Sequence, residues 1–280
     1  MRVRVLVLAA TAVVAAVVPA DTATSAPTWA PVDQASIHPG VQTVTQGGQC
    51  TANFVFTDAT DIYLGQAAHC AGTGGSFDTN GCDAGTLPPG TKVEVEGASQ
   101  PGVLVYSSWV EMQTNEESNP NTCQFNDFAL VRLNAADRER VNPSVPFWGG
   151  PNAPSADSTL GEQVFTYGNS SLRLGIQALS PKTGISLGED GGGWNHSVYT
   201  VSPGIPGDSG SAFLDSTGGA LGLLVTLQVA PLPAGNGVTD IGMAQSYMEA
   251  NTELDLTLAP GTESFSSGLT IERVLGLLLG

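Results

Sequence analysis

Apolar positions along the chain come in short runs separated by turn formers, without a sustained helical period. Residues 41–45, 51–57, 62–64, 92–95 and 103–106 are each rich in β-branched or aromatic side chains, and 128–133 closes this first series. Clusters such as Thr73-Gly74-Gly75 and Pro88-Pro89-Gly90 punctuate them. Residues 134–158 carry few strand signals and many Pro, Asn and Ala, and read as a connection. A second series follows at 163–167, 172–179, 197–201, 211–214 and 221–229. Residues 238–251 read as a helix that Asp240 or Thr239 can cap. Leu254, Leu256 and Leu258 alternate as in a strand, and 269–279 is apolar enough for a terminal helix packed on the body. No internal repeat is visible. Many short strands in two series predict an all-β protein built from two halves.

Composition narrows this picture. With 41% hydrophobic and 12% charged residues the chain can bury a core and is not of a disordered type, while 35 Gly and 18 Pro supply the turns. Arg2 and Arg4 begin a basic start, an apolar run at 5–18 falls short of the ~20 residues that span a bilayer, and Val18-Pro19-Ala20 offers a cleavage site, with a second after Ala23. The expected division is a signal peptide at 1–20, a disordered leader at 21–40 rich in Ala, Thr and Pro, a first half at 41–140, a second half with its helix at 141–260 and a tail at 261–280. An exported, extracellular protein follows, with no membrane attachment once the signal is removed. Cys50, Cys70, Cys82 and Cys123 then suggest two disulfides, for which three pairings exist. The absence of C-x-x-C and the scatter of the histidines argue against a metal, and nothing calls for a cofactor. Asp78, Asn80 and Asp83 resemble a calcium loop without its bidentate Glu, so a turn beside Cys82 is the better reading. A formal charge of −17, from 9 basic and 26 acidic residues, repels nucleic acid and anionic membranes and reads as a solubility coat.

Three segments carry chemistry. They are Gln66-Ala67-Ala68-His69-Cys70, Asn126-Asp127-Phe128-Ala129-Leu130-Val131 and Pro206-Gly207-Asp208-Ser209-Gly210-Ser211-Ala212. Each alone fits an ordinary turn or strand start; together, in the order His, Asp, Ser, they point to nucleophilic catalysis. A serine hydroxyl needs an imidazole to take its proton, and the imidazole needs a carboxylate to fix its tautomer. Ser209, His69 and Asp127 fill those roles, and the backbone N–H groups of Gly207 and Ser209 can meet an oxyanion. His196, in a Gly-rich stretch, reads as a surface loop histidine, and His38 as inert. The absence of G-x-S-x-G disfavours an α/β-hydrolase.

A-A-H-C, D-F-A-L-V and G-D-S-G-S-A resemble the three hallmark motifs of the chymotrypsin-like (trypsin-fold) serine peptidases, in their secreted actinomycete form, over roughly residues 41–230. The resemblance implies two six-stranded antiparallel β-barrels with the active site in the cleft between them, followed by a C-terminal helical segment. It implies a secreted endopeptidase acting as a monomer on protein or peptide substrates. It pairs Cys50 with Cys70, which leaves Cys82 to Cys123. It makes residues 164–178 a strand pair of the second barrel and matches Thr226 to a residue whose hydroxyl supports the triad Asp. It puts the floor of the primary pocket near Pro203, with Leu227 and Gln228 as wall residues, which implies cleavage after apolar side chains. The sequence departs from the family in three places. Ser211 replaces a glycine. No Ile-Val-Gly-Gly start is present to pair with Asp208, for which Arg173 is a weak substitute, so activity is expected without a second cut. No last barrel strand is visible after Val229. These departures keep a second reading open, a secreted binding or scaffold protein on the same fold with little turnover.

Overall fold

The computed structural model describes residues 27–74, 79–155, 158–228 and 233–268. The expected signal peptide and the expected terminal helix at 269–279 lie outside the described residues, as does Asp78, while the described part of the leader, 27–40, is ordered against the first half, with Ile37 buried and its N–H donating to Arg140 O at 3.1 Å. The first series of apolar runs forms β1 (Gln42–Thr45), β2 (Gly48–Thr51), β3 (Val55–Thr57), β4 (Ile62–Gln66), β5 (Lys92–Val95), β6 (Gly102–Ser107) and β7 (Ala129–Arg132). The run expected as one strand over 51–57 is broken between β2 and β3, where the Asn53 side chain accepts from Phe54 N. Between β6 and β7 stand two short helices that the apolar pattern does not announce, α1 (Ser108–Thr114) and α2 (Pro120–Phe125). Asn119 caps α2 by accepting from Asn121 N and Thr122 N, with Pro120 in the first turn.

The second series forms β8 (Gln163–Tyr167), β9 (Pro181–Asp190), β10 (Asn195–Thr200), β11 (Ala212–Leu214), β12 (Ala220–Gln228) and β13 (Gly235–Asp240), then α3 (Ile241–Asn251) and β14 (Thr257–Leu258). Strands β10-β13-β12-β11-β8-β9 close into a six-stranded antiparallel barrel. The first half is a curled eight-stranded sheet in the order β14-β3-β4-β7-β6-β5-β1-β2. It exceeds the expected six strands because the break at Asn53 divides one strand and because β14 returns from beyond the second barrel to pair with β3.

Three expectations for the second half are corrected. The apolar stretch 172–179 is an exposed arm of two 3₁₀ turns, Ser171–Arg173 and Gln177–Leu179. Leu174, in the left-handed region at φ 55°, is 85% exposed. The partner of β8 is instead β9. The helix expected over 238–251 begins at Ile241, because Val238 and Thr239 pair with both β10 and β12, and Asp240 with β12, and complete the barrel. A last barrel strand therefore does follow Val229. Asp240 caps α3, its Oδ1 accepting from Met243 N at 2.6 Å.

Each half has its own core, around Leu64, Val93, Leu104 and Val131 in the first and Val164, Phe213, Leu221 and Val238 in the second. A third apolar cluster joins them, with Phe54, Phe56 and Phe128 from one side, Phe165, Leu214 and Leu223 from the other, and Ile241 and Met248 of α3. Burying such side chains is worth roughly 1.5–3 kcal/mol each, so an apolar interior holds the two halves face to face, with polar bonds such as Thr51 N to Ser209 O beside it.

Candidate active site

His69 sits on the 3₁₀ turn Ala68–Ala71 that follows β4. Asp127 precedes β7, the strand paired to β4. Its Oδ2 lies 2.6 Å from His69 Nδ1, and its Oδ1 accepts from His69 N at 2.8 Å. A carboxylate at Asp127 offers only acceptors, so Nδ1 carries the hydrogen and Nε2 is left as the basic nitrogen. The Ser108 hydroxyl donates to Asn126 O at 2.8 Å and accepts from Phe128 N at 3.0 Å, clasping Asp127 from both sides. Burial pushes the His69 imidazole down, but the charge and hydrogen bond of Asp127 outweigh it and hold the ring above its ordinary value.

Ser209 belongs to the loop between β10 and β11 and is half-buried. Gly207 and Gly210 flank it at φ 96° and 87°, a region costly for any residue with a Cβ. A Cβ at Gly210 would also lie 3.0 Å from Ala67 N, so the loop runs against the backbone two residues before His69. The Ser209 carbonyl accepts from Thr51 N at 2.8 Å. Thr51 adjoins Cys50, whose disulfide to Cys70 ties β2 to the His69 turn. A second disulfide joins Cys82 to Cys123, linking the loop before β5 to α2. In this loop Asp208 N, Gly210 N and Ser211 N all donate to backbone carbonyls. Among the described residues, Gly207 N and Ser209 N have no acceptor. Two unengaged donors on either side of Asp208 N, one of them the serine's own, are what an oxyanion requires.

Asp208 has the partners that the sequence left in doubt. Its carboxylate is fully buried and pairs with Arg173, itself 9% exposed, and with Lys182, 3% exposed, whose Nζ lies at 2.8 Å. Ser170 N and Ile205 N donate to it as well. Burial pushes the Asp208 carboxyl up, and the Arg173 and Lys182 contacts more than reverse this, holding it below the usual carboxylate range. Lys182 is held below its ordinary value, chiefly by burial and further by the second cation beside it. The exposed arm therefore has a purpose in this loop, since it delivers Arg173. Lys182 escapes a sequence reading because a lone lysine near the start of a Gly-rich strand looks solvent-facing.

Pro203 and Gln228 are half-buried, and Leu227 is 61% exposed. Asn236 on β13 connects these segments, accepting from Gly204 N at 2.9 Å and donating to Thr226 O at 3.1 Å. A Cβ at Gly237 would meet the Thr226 hydroxyl, Asn195 Oδ1 and Gln228 Nε2. The lining at this point is thus neutral and polar, a feature hidden in the Gly-Asn-Gly of β13. Among the described residues only His69 donates to the Asp127 side chain, so the Thr226 hydroxyl does not support it. His196 is no surface residue. It is fully buried on β10, with Nε2 2.8 Å from Asp240 Oδ2 and Nδ1 3.0 Å from the Ser158 hydroxyl. The one tight group of potential metal ligands among the described residues is Cys50, His69 and Cys70, and its cysteines are spent in the disulfide.

No protein-family model and no curated protein matches the sequence. The fold does have matches among solved structures. Protease A of Thermobifida fusca superposes with a TM-score of 0.51 at 16% identity, covering 81% of this chain and 100% of its own. A glutamic acid-specific serine protease described as using a novel histidine triad in substrate binding superposes with a TM-score of 0.50 at 18% identity, over 80% of this chain and 100% of its own. At these identities the likeness speaks for the fold, and it agrees with the closed barrel and the curled sheet: this chain has the two-barrel fold of the chymotrypsin-like serine proteases.

Proposed function

We propose that the protein is an exported, monomeric serine endopeptidase that hydrolyses peptide bonds through an acyl-enzyme, with His69, Asp127 and Ser209 as its triad. The observation that carries this reading is a histidine held at its ring by Asp127 Oδ2 and at its backbone N–H by Oδ1, next to a serine loop that holds two unengaged N–H groups. In the first step His69 Nε2 takes the Ser209 proton as Oγ attacks the carbonyl carbon. Asp127 stabilises the resulting imidazolium, and Gly207 N and Ser209 N donate to the oxyanion. Collapse expels the amine, which receives the proton from His69. Water then repeats the sequence and releases the acid. These steps need no metal and no cofactor. Two disulfides and a charge of −17 support a location outside the cell.

Side chains before the scissile bond are expected to be uncharged, apolar ones foremost. Pro203 offers no countercharge, and a buried arginine without a partner costs several kcal/mol. Asp240, the acidic group at the end of β13, is committed to His196 and to the cap of α3. The glutamate preference of one structural neighbour finds no counterpart. Of the three histidines, His69 bonds Asp127, His196 bonds Asp240, and His38 bonds Pro39 O.

The test is fluorophosphonate labelling of the exported protein, alongside a panel of chromogenic peptides that differ only before the scissile bond. Labelling that Ser209→Ala abolishes, with turnover falling on the order of 10⁴-fold or more, is the expected result. Absence of labelling would favour a binding scaffold, and a preference for Arg or Lys would remove the pocket assignment.

A further inference from the structure

Every carbonyl from Pro206 to Ser209 is taken by a donor. Pro206 O accepts from the Ser170 hydroxyl at 2.5 Å. Gly207 O accepts from the Thr51 hydroxyl at 2.7 Å and from Gln49 Nε2 at 3.0 Å. Asp208 O accepts from the Ser211 hydroxyl at 2.6 Å and from Ser211 N at 3.0 Å. Ser209 O accepts from Thr51 N. Ser170 is 2% exposed and Ser211 is 1% exposed, so neither hydroxyl has solvent as an alternative partner.

The pattern matters because a trans peptide unit is planar and its C=O and N–H point in opposite directions. The N–H of Gly207 shares its plane with the Pro206 carbonyl. The N–H of Ser209 shares its plane with the Asp208 carbonyl. Fixing those two carbonyls fixes where the two unengaged donors aim. The first unit needs such fixing most. It ends at Gly207, whose torsions are permissive, so rotation of the 206–207 peptide meets little steric resistance. Its carbonyl is held by the Ser170 hydroxyl alone, whereas the Asp208 carbonyl also has Ser211 N.

Resting on the hydrolase reading above, we propose that Ser170 and Ser211 are positioning residues of the oxyanion site, each aiming one catalytic N–H through the carbonyl of the same peptide unit. Neither touches substrate. Ser211, a departure from the glycine usual at its place, thereby gains a role in the reaction, and Ser170 does so from the loop that follows β8.

The experiment compares the wild type with Ser170→Ala, Ser170→Thr and Ser211→Ala. It measures thermal midpoint, kcat and KM on one peptide anilide, and affinity for the matching peptide boronate and peptide carboxamide. The boronate forms a tetrahedral adduct with an oxyanion-like oxygen; the carboxamide reports ground-state binding. Deleting an oxyanion donor outright costs about 10²–10³ in kcat, so misaiming one should cost Ser170→Ala roughly ten- to a hundredfold. KM and carboxamide affinity should stay within about threefold, and boronate affinity should fall in step with kcat. Ser211→Ala should lose less, because Ser211 N remains, and Ser170→Thr should recover most of the rate. A Ser170→Ala enzyme within twofold of wild type would overturn the proposal. So would boronate and carboxamide affinities that fall together, since that is the mark of a general structural role. Should Ser170→Ala fail to fold, the same ratio read on Ser211→Ala and Ser170→Thr decides. A wild type that neither turns over substrate nor takes the fluorophosphonate would instead sink the hydrolase reading itself, and this inference with it.

Discussion

Asp208, Arg173 and Lys182 form a buried group of one anion and two cations, and this imbalance predicts an asymmetric response to substitution. Asp208→Asn keeps the shape and leaves two buried cations, 9% and 3% exposed, facing a neutral amide. Removing one partner of a buried ion pair costs about 3–5 kcal/mol. Lys182→Met is milder. It deletes one charge-assisted hydrogen bond, worth roughly 1.5–3 kcal/mol, but it also ends the cost of burying an ammonium. Asp208 then keeps Arg173, Ser170 N and Ile205 N. The two effects oppose, and a net change within about 2 kcal/mol follows. For chains of this size a kilocalorie shifts the midpoint by roughly 2–4 °C. Asp208→Asn should therefore melt roughly 6–20 °C below wild type, and Lys182→Met no more than about 8 °C below. Calorimetric melts at pH 7 and one scan rate read this directly, and the double variant should melt above Asp208→Asn alone. A Lys182→Met protein as unstable as Asp208→Asn would show that the lysine, rather than the carboxylate, is the group the loop depends on. The carboxyl is held below its ordinary value, so its stabilisation is present above the free carboxylate pKa near 3.8 and is lost as pH falls through the lower folded value.

Two further outcomes follow from the site. His69 is held above its free value of 6.5 and must be neutral to act as a base, so kcat/KM should rise with pH through a midpoint above 6.5. Asp127→Asn should bring that midpoint down and cut the rate by roughly 10⁴, whereas a wild-type midpoint below 6.5 would contradict the geometry. The disulfides should separate stability from activity. With separations of 20 and 41 residues, loop entropy assigns about 3 kcal/mol to Cys50–Cys70 and about 4 kcal/mol to Cys82–Cys123. Replacing Cys50 and Cys70 with Ala should nevertheless lower kcat more, since that bridge ties the strand holding Ser209 to the turn carrying His69; equal kcat losses in the two double variants would refute this.

The sequence announces what chemistry constrains and hides what topology supplies. His69, Asp127 and Ser209 stand in motifs whose residue types leave few alternatives, and the strands with exposed and buried positions in alternation, such as Lys92–Val95, follow from period two. β13 was not legible because Gly-Asn-Gly carries no apolar pattern. Its place comes from bonding on both sides and from a backbone that must pass close to Thr226 and Asn195. The arm at 171–179 misleads in the opposite direction. Leu172, Leu174 and Ile176 look like a strand, yet all three are exposed, and the residue that matters there is Arg173. His196 is misread from sequence and Lys182 passes unnoticed for one reason: a polar side chain becomes a core residue only through partners distant in sequence, here Asp240 and Asp208.

The bonds from Gln49 and Thr51 to the carbonyls of Gly207 and Ser209 have a consequence for the life of the chain as it is made. One half emerges carrying His69 and Asp127, and the other follows with Ser209. The donors that shape the nucleophile's loop belong to the earlier half. The geometry around Ser209 is therefore a property of the docked pair, and neither half carries it alone.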